Sequence, residues 1–353
     1  MKILYFGPIA KLGRPALGGY EAANRKNINA LREHGANVIE YPNPQINYKL
    51  GILGKLAYIK LLFTPFMLIK YAGGKDVIIH HTPLYDNLIF PSVWLLWIAK
   101  RLGIKILIDI RAGSLIDISK RKSSVWKKGV RYILNNASLI TVEGKSYLHD
   151  IPSVFNINKK LCYFPNLADC KEQNYKPRNH DKINMIYFGR ITKLKGIDLL
   201  LKMMPLLDNR FHLYLAGGIA DDIKQNYFRI DGVTYLGMLA PSDLKKVLPQ
   251  MHIFLFPTKW PGEGQSNSLI EAMQNGLIPV VSNQGFNEDV VADCGVILPS
   301  NSTENDYRDA VLKVVAGNLD EQGEKAKEHI KKCHNINDWI SWLINQYKIL
   351  LEE

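Results

Sequence analysis

Residues 184–207 read NMIYFGRITKLKGIDLLLKMMPLL and change from a short apolar run to a turn and then to a helical pattern. The apolar run ends at Phe188, glycines at 189 and 196 bound the turn, and leucines follow at helical spacing. A strand, a tight turn and a helix in this order begin a βαβ unit, which places parallel strands in one sheet. The stretch therefore predicts an α/β fold.

The same alternation of short apolar runs and helical patterns extends along the whole chain. The predicted strands of the first half are Lys2–Gly7, Val38–Tyr41, Val77–His80, Lys105–Asp109, Leu139–Val142 and Leu161–Phe164. Those of the second half are Asn184–Phe188, His212–Ala216, Val233–Leu236, Ile253–Phe256, Pro279–Ser282 and Val296–Leu298. Two such series predict two doubly wound, Rossmann-like domains that face a central cleft.

A polar stretch separates the two series of strands. Residues 166–184 are rich in Lys, Asn and Asp and are interrupted by Pro177, which is typical of a linker. We therefore predict one domain over residues 1–170 and a second over residues 171–336. The C-terminal segment, about residues 337–353, is expected to form a helix that packs back on the first domain.

Composition limits the class of protein. The chain has 353 residues, of which 47% are hydrophobic and 22% charged, and this is enough for two globular cores. Its four cysteines show no metal-ligand spacing, and the apolar run after Lys2 is too short for a signal peptide, so we expect a cytoplasmic protein.

The basic charge lies in the first half of the chain. Residues 1–170 contain 24 Lys and Arg against 10 Asp and Glu, whereas the remainder contains 21 against 23. A one-sided positive field indicates a polyanionic partner, either anionic lipid or nucleic acid.

Two segments favour lipid as this partner. Residues 50–74 read LGILGKLAYIKLLFTPFMLIKYAGG, where Lys55, Lys60 and Lys70 disfavour a spanning helix and fit a helix that lies at a membrane surface. Residues 119–128, SKRKSSVWKK, add a basic cluster with Trp126, a residue type suited to that boundary. The alternative is a buried helix followed by a solvated basic face. Neither segment contains a nucleic-acid-binding motif, so we expect no nucleic-acid partner.

Two strand-to-helix turns are candidates for anion binding. Gly18 and Gly19 precede a predicted helix, where backbone N–H groups can close on an anion, although such a turn can also be purely structural. Arg190 and Lys195 lie in the turn that begins at Gly189, where fixed cations can clamp a diphosphate. The alternative for both side chains is a solvated surface position.

Residues 261–273, PGEGQSNSLIEAM, carry the most informative motif. Gln265, Ser266 and Asn267 stand at the start of a predicted helix, whose first N–H groups can hold a phosphate. Glu263 lies in a glycine-flanked loop and Glu271 lies on the helix, so both carboxylates can accept hydrogen bonds from sugar hydroxyls. Apolar residues flank Glu271, and burial there would require a ligand or a donor partner.

This motif, followed by GLIPVV at residues 276–281, resembles the signature of the family-4 retaining glycosyltransferases of GT-B fold, of the bacterial surface-polysaccharide type. Seven residues separate Glu263 from Glu271 in both. Segments elsewhere agree with the family in order and spacing: Gly18-Gly19, FPNLAD at 164–169, FGR at 188–190, Lys195-Gly196, LAGG at 215–218 and YLG at 235–237.

The resemblance implies roles for the candidate residues. Glu263, Arg190 and Lys195 would be catalytic, the first facing the donor sugar and the two cations facing the diphosphate. Donor binding would fall to Gly18, Gly19, Gly189, Gln265, Ser266, Asn267 and Glu271, of which Glu271 would hold the ribose hydroxyls. The segment 236–239 resembles the one that holds the base.

The sequence departs from the family at one position of the first domain. Many relatives have a histidine after the strand that corresponds to Lys105–Asp109, and here the position is Arg111. Arginine cannot serve as a general base, but it can bind phosphate or a sugar hydroxyl, with Asp109 as its expected charge partner. His80 and His81 resemble the histidine that ends the preceding strand in relatives, and His81 is the better candidate. His81, Asp109 and Arg111 are therefore candidate acceptor or sugar contacts.

The sequence thus predicts a retaining transferase that moves a sugar from a nucleoside-diphosphate sugar to a lipid-linked saccharide at the inner face of the cell membrane. No metal or other cofactor is expected, because the sequence contains no Asp-x-Asp motif. Two alternatives remain open: a sugar-nucleotide epimerase of the same fold, and a degenerate donor-binding subunit of a transferase complex.

Overall fold

The apolar runs form two parallel six-stranded sheets. The structure is a computed structural model and describes residues 1–11, 18–43, 59–74, 76–85, 89–170, 178 and 180–353. The chain divides into two units, the first comprising Met1–Leu167 with Ile336–Glu353 and the second Ala168–Asn335. The predicted α/β class with two doubly wound sheets is confirmed.

The first unit has the strand order β2-β1-β3-β4-β5-β6. Its strands are β1 (Lys2–Gly7), β2 (Asn37–Pro42), β3 (Val77–His81), β4 (Lys105–Ile110), β5 (Leu139–Val142) and β6 (Leu161–Tyr163). Its helices are α1 (Gly19–Glu33), α2 (Ile59–Phe63), α3 (Phe90–Arg101), α4 (Leu115–Arg121), α5 (Ser124–Asn136), α6 (Tyr147–Phe155) and the C-terminal helix α13 (Ile336–Glu352).

The second unit has the strand order β12-β11-β10-β7-β8-β9. Its strands are β7 (Ile183–Phe188), β8 (Phe211–Ala216), β9 (Val233–Gly237), β10 (Ile253–Phe256), β11 (Ile278–Ser282) and β12 (Val296–Leu298). Its helices are α7 (Ile197–Met203), α8 (Pro241–Val247), α9 (Asn267–Gln274), α10 (Asn287–Val291), α11 (Glu304–Val315) and α12 (Leu319–Cys333). Short 3-10 turns cover Lys193–Lys195, Met204–Leu206, Gln225–Phe228 and Leu248–Gln250.

Each sheet carries its own apolar core. In the second unit the buried faces of β7, β8, β10 and β11 pack against α7, α9, α11 and α12. In the first unit, Ile340, Leu343 and Tyr347 of α13 join the core that contains β1 and α1. The C-terminal helix therefore belongs to the first unit, through the apolar stripe that it buries there.

The predicted interfacial segment is only partly described. Residues 44–58, which include Lys55, lie outside the described residues. The remainder forms α2 and then a 3-10 helix, Thr64–Tyr71, with Pro65 in its first turn. Proline has no N–H to donate to the preceding turn, which explains why the α-helix gives way at this point. No helix among the described residues has both the length and the apolar character needed to cross a bilayer.

The proposed interfacial role of Trp126 is wrong. Trp126 lies on the inner face of α5 and is only 6% exposed, and its ring packs against Phe155. Ser123 caps α5 by accepting a hydrogen bond from the Trp126 backbone N–H, which fixes where the helix begins. From this start, Trp126 lies on the same buried side of the helix as Val130 and Ile133. Lys127 and Lys128 remain exposed.

Candidate functional site

Three adjacent strands of the second unit end on glycines. Gly189 and Gly217 directly follow β7 and β8, and Gly237 is the last residue of β9; their φ angles are +144°, +143° and +75°. Gly217 N–H donates to the Gly237 carbonyl at 2.8 Å, and a Cβ atom on Gly217 would lie 1.8 Å from the Gly189 carbonyl oxygen. Side chains are thus excluded at Gly217, and the carboxyl edge of the sheet presents backbone to an incoming ligand.

The turn after β7 is fixed by a small set of contacts. Thr192 Oγ1 accepts a hydrogen bond from the Lys195 N–H at 3.2 Å and caps the 3-10 turn. Gly196 follows with φ +76°, and a Cβ atom there would lie 2.3 Å from the Pro257 carbonyl oxygen. This close approach holds the turn against the end of β10, so Lys195 reaches the loop that follows that strand.

Lys195 and Glu263 form an ion pair at this edge. Lys195 Nζ contacts Glu263 Oε2, and Thr258 Oγ1 donates to the same carboxylate oxygen at 2.8 Å. The two charged side chains are 12% and 11% exposed, and Lys195 Nζ also lies 5.2 Å from the centre of the Phe256 ring. Because both charged groups are largely removed from water, each needs the other as its counter-charge. The ion pair therefore holds both side chains at the strand ends.

Arg190 lies in the same turn but is exposed. Its carbonyl accepts a hydrogen bond from Tyr187 Oη at 2.7 Å, which holds the backbone. Its guanidinium lies 5.6 Å from the centre of the Trp260 ring, a cation–π distance. Arg190 therefore supplies a second cation at this edge, and its guanidinium is available to bind an anion.

The helix α9 begins beside the pair. Ser266 caps it by accepting a hydrogen bond from the Leu269 N–H at 3.4 Å. Gln265 and Ser266 are buried and Asn267 is half-buried. The loop before the helix lies directly on Gly285, where a Cβ atom would come within 2.4 Å of the Glu263 carbonyl oxygen. Gly285 thus holds the loop that carries Glu263 and leads into α9, whose first N–H groups have no partner within the helix except through such a cap.

Glu271 is half-buried, although apolar residues flank it in the sequence. It lies within α9 as predicted, between the buried Ile270 and Ala272. One turn of helix carries buried and half-buried positions side by side, and apolar neighbours in sequence therefore do not require Glu271 itself to face the core.

The candidates of the first unit lie at the ends of β3 and β4. Arg111 Nε donates to Asp109 Oδ2 at 2.8 Å, so the predicted charge pair is confirmed, and Arg111 Nη1 donates to Asn166 Oδ1 at 2.5 Å. Asp109 Oδ1 accepts from Thr141 Oγ1 at 2.8 Å. Burial opposes ionisation of Asp109, but the charge of Arg111 and its hydrogen bond, together with the contact from His80, outweigh burial and hold the pKa of this carboxyl below its usual range.

Both histidines of β3 are buried and engaged. His81 Nδ1 lies 3.2 Å from the Phe6 carbonyl oxygen, and His81 Nε2 lies 2.9 Å from Ser92 Oγ. His80 Nδ1 lies 2.6 Å from Tyr347 Oη and its ring stacks on Tyr5. Burial lowers the pKa of His81 to about 4 and also lowers the pKa of His80. His81 therefore serves the packing of the unit, since both its ring nitrogens have partners within the protein.

Gly18 and Gly19 stand at the exposed start of α1. Gly18 is the N-cap, and a Cβ atom there would meet open space. Among the described residues, no side chain covers the helix terminus at Gly18, and an uncovered N-terminus is the geometry that anion binding at a helix requires. The rest of the predicted turn, residues 12–17, lies outside the described residues.

Sequence reasoning assigned no role to several residues of these networks: Tyr187, Thr258, Trp260, Thr141, Asn166 and Tyr347. Thr258 is two residues beyond the end of β10, where a small polar residue is a recognisable signal. Tyr347 gave no local signal, because it meets His80 across 267 positions of sequence. Within the described residues, no group of three or more His, Cys, Asp or Glu side chains is arranged to hold a metal ion.

Part of the second unit matches a known family model. Residues 182–317 match the family model described as glycosyl transferases group 1. A human protein, one of the subunits of phosphatidylinositol N-acetylglucosaminyltransferase, is 29% identical over 184 residues, which are 49% of this chain and 36% of the human protein. An uncharacterised glycosyltransferase of Methanocaldococcus jannaschii is 22% identical over 91% of this chain and 86% of its own length.

Solved structures share the fold over nearly the whole chain. Sucrose-phosphate synthase from Thermosynechococcus elongatus superposes with a TM-score of 0.75 at 15% identity, covering all of both chains. Anabaena HepE in complex with UDP-glucose gives 0.71 at 14% identity over 99% of each chain. The lipopolysaccharide outer core galactosyltransferase WaaB gives 0.69 at 16% identity over 98% of this chain and all of that one. At these identities the likeness establishes the GT-B fold.

Proposed function

We propose that this chain, which carries a group 1 glycosyltransferase domain in its second unit, transfers a sugar from a nucleoside-diphosphate sugar to a saccharide hydroxyl with retention of anomeric configuration. The observation that carries the proposal is the Lys195–Glu263 pair. It lies beside Arg190, against the start of α9, at the carboxyl edge of a parallel sheet, which is where such folds bind nucleotides.

The donor would bind to this edge through complementary charge. Arg190 and Lys195 would hold the diphosphate, together with Gly189 and the backbone N–H groups at the start of α9. Glu271, half-buried further along α9, would accept hydrogen bonds from the ribose hydroxyls. The fold is shared with a protein whose structure contains UDP-glucose, which supports this donor class.

Retention would follow from attack on the same face that the diphosphate leaves. The bond between the anomeric carbon and the diphosphate oxygen breaks, the acceptor oxygen bonds to that carbon, and the acceptor proton passes to the departing diphosphate. Arg190 and Lys195 would stabilise the charge that develops there, in place of a divalent metal. Glu263, already held by Lys195 and Thr258, would orient the sugar through its hydroxyls without attacking it.

The first unit would hold the acceptor, and we propose a lipid-linked saccharide of a bacterial surface polysaccharide, met at the cytoplasmic face of the membrane. Three observations support this: the basic excess of residues 1–170, a human relative named for a phosphatidylinositol substrate, and a structural neighbour named for lipopolysaccharide. Asp109 and Arg111 would supply charge at the strand ends of this unit.

A donor-binding subunit without activity of its own is the second candidate, because the human relative is itself named as one subunit of a transferase. The intact Lys195–Glu263 pair and exposed Arg190 favour the active enzyme. An epimerase of the same fold would use the donor site without any acceptor.

A panel of nucleotide sugars tests these candidates. A donor present at 100 times its Kd stabilises the protein by about 2.7 kcal/mol, which is measurable as a thermal shift. We expect one donor to bind and free nucleoside diphosphate to appear only when a saccharide acceptor is added. Conversion of the sugar nucleotide without acceptor would indicate the epimerase, and donor binding with no diphosphate release under any acceptor would indicate the inactive subunit.

A further inference from the structure

A stripe of large side chains runs along one side of α3. Phe90, Trp94, Trp97 and Arg101 are spaced by four, three and four residues, so they lie on one face of the helix. The Trp94 and Trp97 rings stack with centroids 4.9 Å apart, and the Arg101 guanidinium lies 4.1 Å from the centre of the Trp97 ring. The opposite side of α3 is buried through Leu95, Leu96, Ile98 and Ala99. The stripe is thus an ordered surface that the core does not use.

The preceding segment widens this surface. Trp94 Nε1 donates to the Leu62 carbonyl oxygen at 2.9 Å, and the Phe66 ring meets Trp94 edge-on at 5.9 Å. These contacts fix α2 and the 3-10 helix Thr64–Tyr71 against α3. We call the combined exposed apolar surface the aromatic face, and it consists of Ile59, Leu62, Phe63, Phe66, Met67, Ile69, Phe90 and Trp97.

The exposure of this face is unusual for a water-facing surface. Phe63 is 64% exposed, Phe90 62% and Ile69 59%. Eight large exposed apolar side chains on elements that pack against one another form a patch of the kind that marks an interaction site.

Charge identifies the partner of the aromatic face. Residues 59–71 and 90–101 contain three lysines and one arginine and no Asp or Glu. The neighbouring α5 adds the exposed Lys127 and Lys128, and it too has no acidic residue. Tryptophan beside cations with apolar side chains around them is the composition of a surface that sits at the headgroup boundary of a bilayer. Two copies of so basic a face would repel each other, which disfavours self-association through it.

We propose that the aromatic face docks on an anionic lipid bilayer, with Phe63, Ile69 and Phe90 entering the acyl boundary and Lys70 and Arg101 contacting lipid phosphates. This gives the membrane association of the proposed function a defined surface, in place of Trp126. The long side chains of Lys70 and Arg101, whose charged groups lie over the rings of Tyr71 and Trp97, can extend to the headgroups while their stems stay in the apolar boundary. The inference concerns binding alone, and it is tested without donor or acceptor.

The test is sedimentation of the full chain with vesicles of phosphatidylcholine containing phosphatidylglycerol, compared with vesicles of phosphatidylcholine alone. The triple variant Phe63→Ser, Ile69→Ser, Phe90→Ser is expected to bind the anionic vesicles about a hundredfold more weakly. Its control is Val154→Ser, Leu206→Ser, Leu312→Ser, which removes three exposed apolar side chains outside the face and is expected to leave binding unchanged.

A second pair of variants tests the charge contribution. Lys70→Glu with Arg101→Glu is expected to weaken binding at least about tenfold, whereas Lys202→Glu with Lys313→Glu, two exposed lysines of the second unit, leaves it unchanged. Donor binding in the thermal-shift panel is expected to be the same for all four variants, so a failure here is distinguishable from a failure of the proposed function. Equal binding of the wild type to neutral vesicles, equal loss in the controls, or self-association of the wild type with no vesicle binding would each overturn the inference.

Discussion

Lys195 and Glu263 come from the loops after β7 and β10, two strands that are neighbours in one sheet, and their charges meet in a largely buried ion pair. Thr258 donates to the same carboxylate oxygen, so the position of Glu263 is set from two directions. The pair joins the two segments that the sequence singled out independently, the turn 189–196 and the motif 261–273.

A double-mutant cycle on this pair separates its roles in transfer and in folding. Lys195→Met and Glu263→Gln are each expected to reduce transfer by about 10²- to 10³-fold, because each removes a preorganised group from the site. In denaturant unfolding, the double variant is expected to be more stable than the sum of the single losses predicts, by about 0.5–3 kcal/mol, since each single change leaves its partner uncompensated. Strict additivity would show that the two charges do not interact.

Glu271 is expected to contribute to donor affinity and little to stability. Glu271→Ala should weaken donor binding, and Glu271→Asp should restore it only in part, because the shorter side chain carries its carboxylate away from the ribose. Calorimetry measures the donor affinity of both Glu271 variants. The control is Glu288→Ala, which removes an acidic side chain from the neighbouring α10. Unchanged affinity in Glu271→Ala would remove Glu271 from the site.

Loss of the Asp109–Arg111 ion pair is expected to destabilise the first unit strongly. Asp109→Asn leaves the buried Arg111 guanidinium without its counter-charge and should cost about 3–5 kcal/mol of the free energy of unfolding. The control is Asp117→Asn, which breaks an exposed pair with Lys120 and should cost at most about 1 kcal/mol. Five of the six tryptophans lie in the first unit, so fluorescence reports its unfolding. Equal effects of the two substitutions would contradict the burial argument.

His81 makes the stability of the first unit depend on pH. Its pKa is about 4 in the folded protein and about 6.5 in an unfolded chain, so the unfolded state takes up the proton first. The contribution of neutral His81 to the free energy of unfolding is complete above pH 6.5 and is lost as the pH falls toward 4. The free energy of unfolding is therefore expected to decrease by about 2 kcal/mol between pH 7 and pH 5. His81→Gln should remove this part of the slope, whereas His149→Gln, at an exposed position, should not change it. A slope that survives in His81→Gln would assign the effect to other groups, such as His80.

Periodic features of the sequence were sufficient to predict the sheets. Strands such as Lys2–Gly7 and Ile253–Phe256 are predicted at both ends, because a buried parallel strand is a continuous apolar run closed by a glycine or a polar turn. The burial of Trp126 and of Glu271 could not be predicted in this way, because the rotation of a helix about its axis decides which residues face the core. The contact of Tyr347 with His80 depends on the path of the chain back to the first unit, and no local pattern records that path.

The configuration of the product is the most direct test of the account. The full chain is incubated in EDTA with the donor found in the panel and with its acceptor, and the anomeric coupling of the product is measured by NMR. The proposed mechanism predicts an α-linked product from an α-linked donor, with no glycosyl-enzyme adduct by mass spectrometry, because Arg190 and Lys195 stabilise a diphosphate that itself takes the acceptor proton. A β-linked product would contradict both this mechanism and the assignment of Glu263 as an orienting carboxylate.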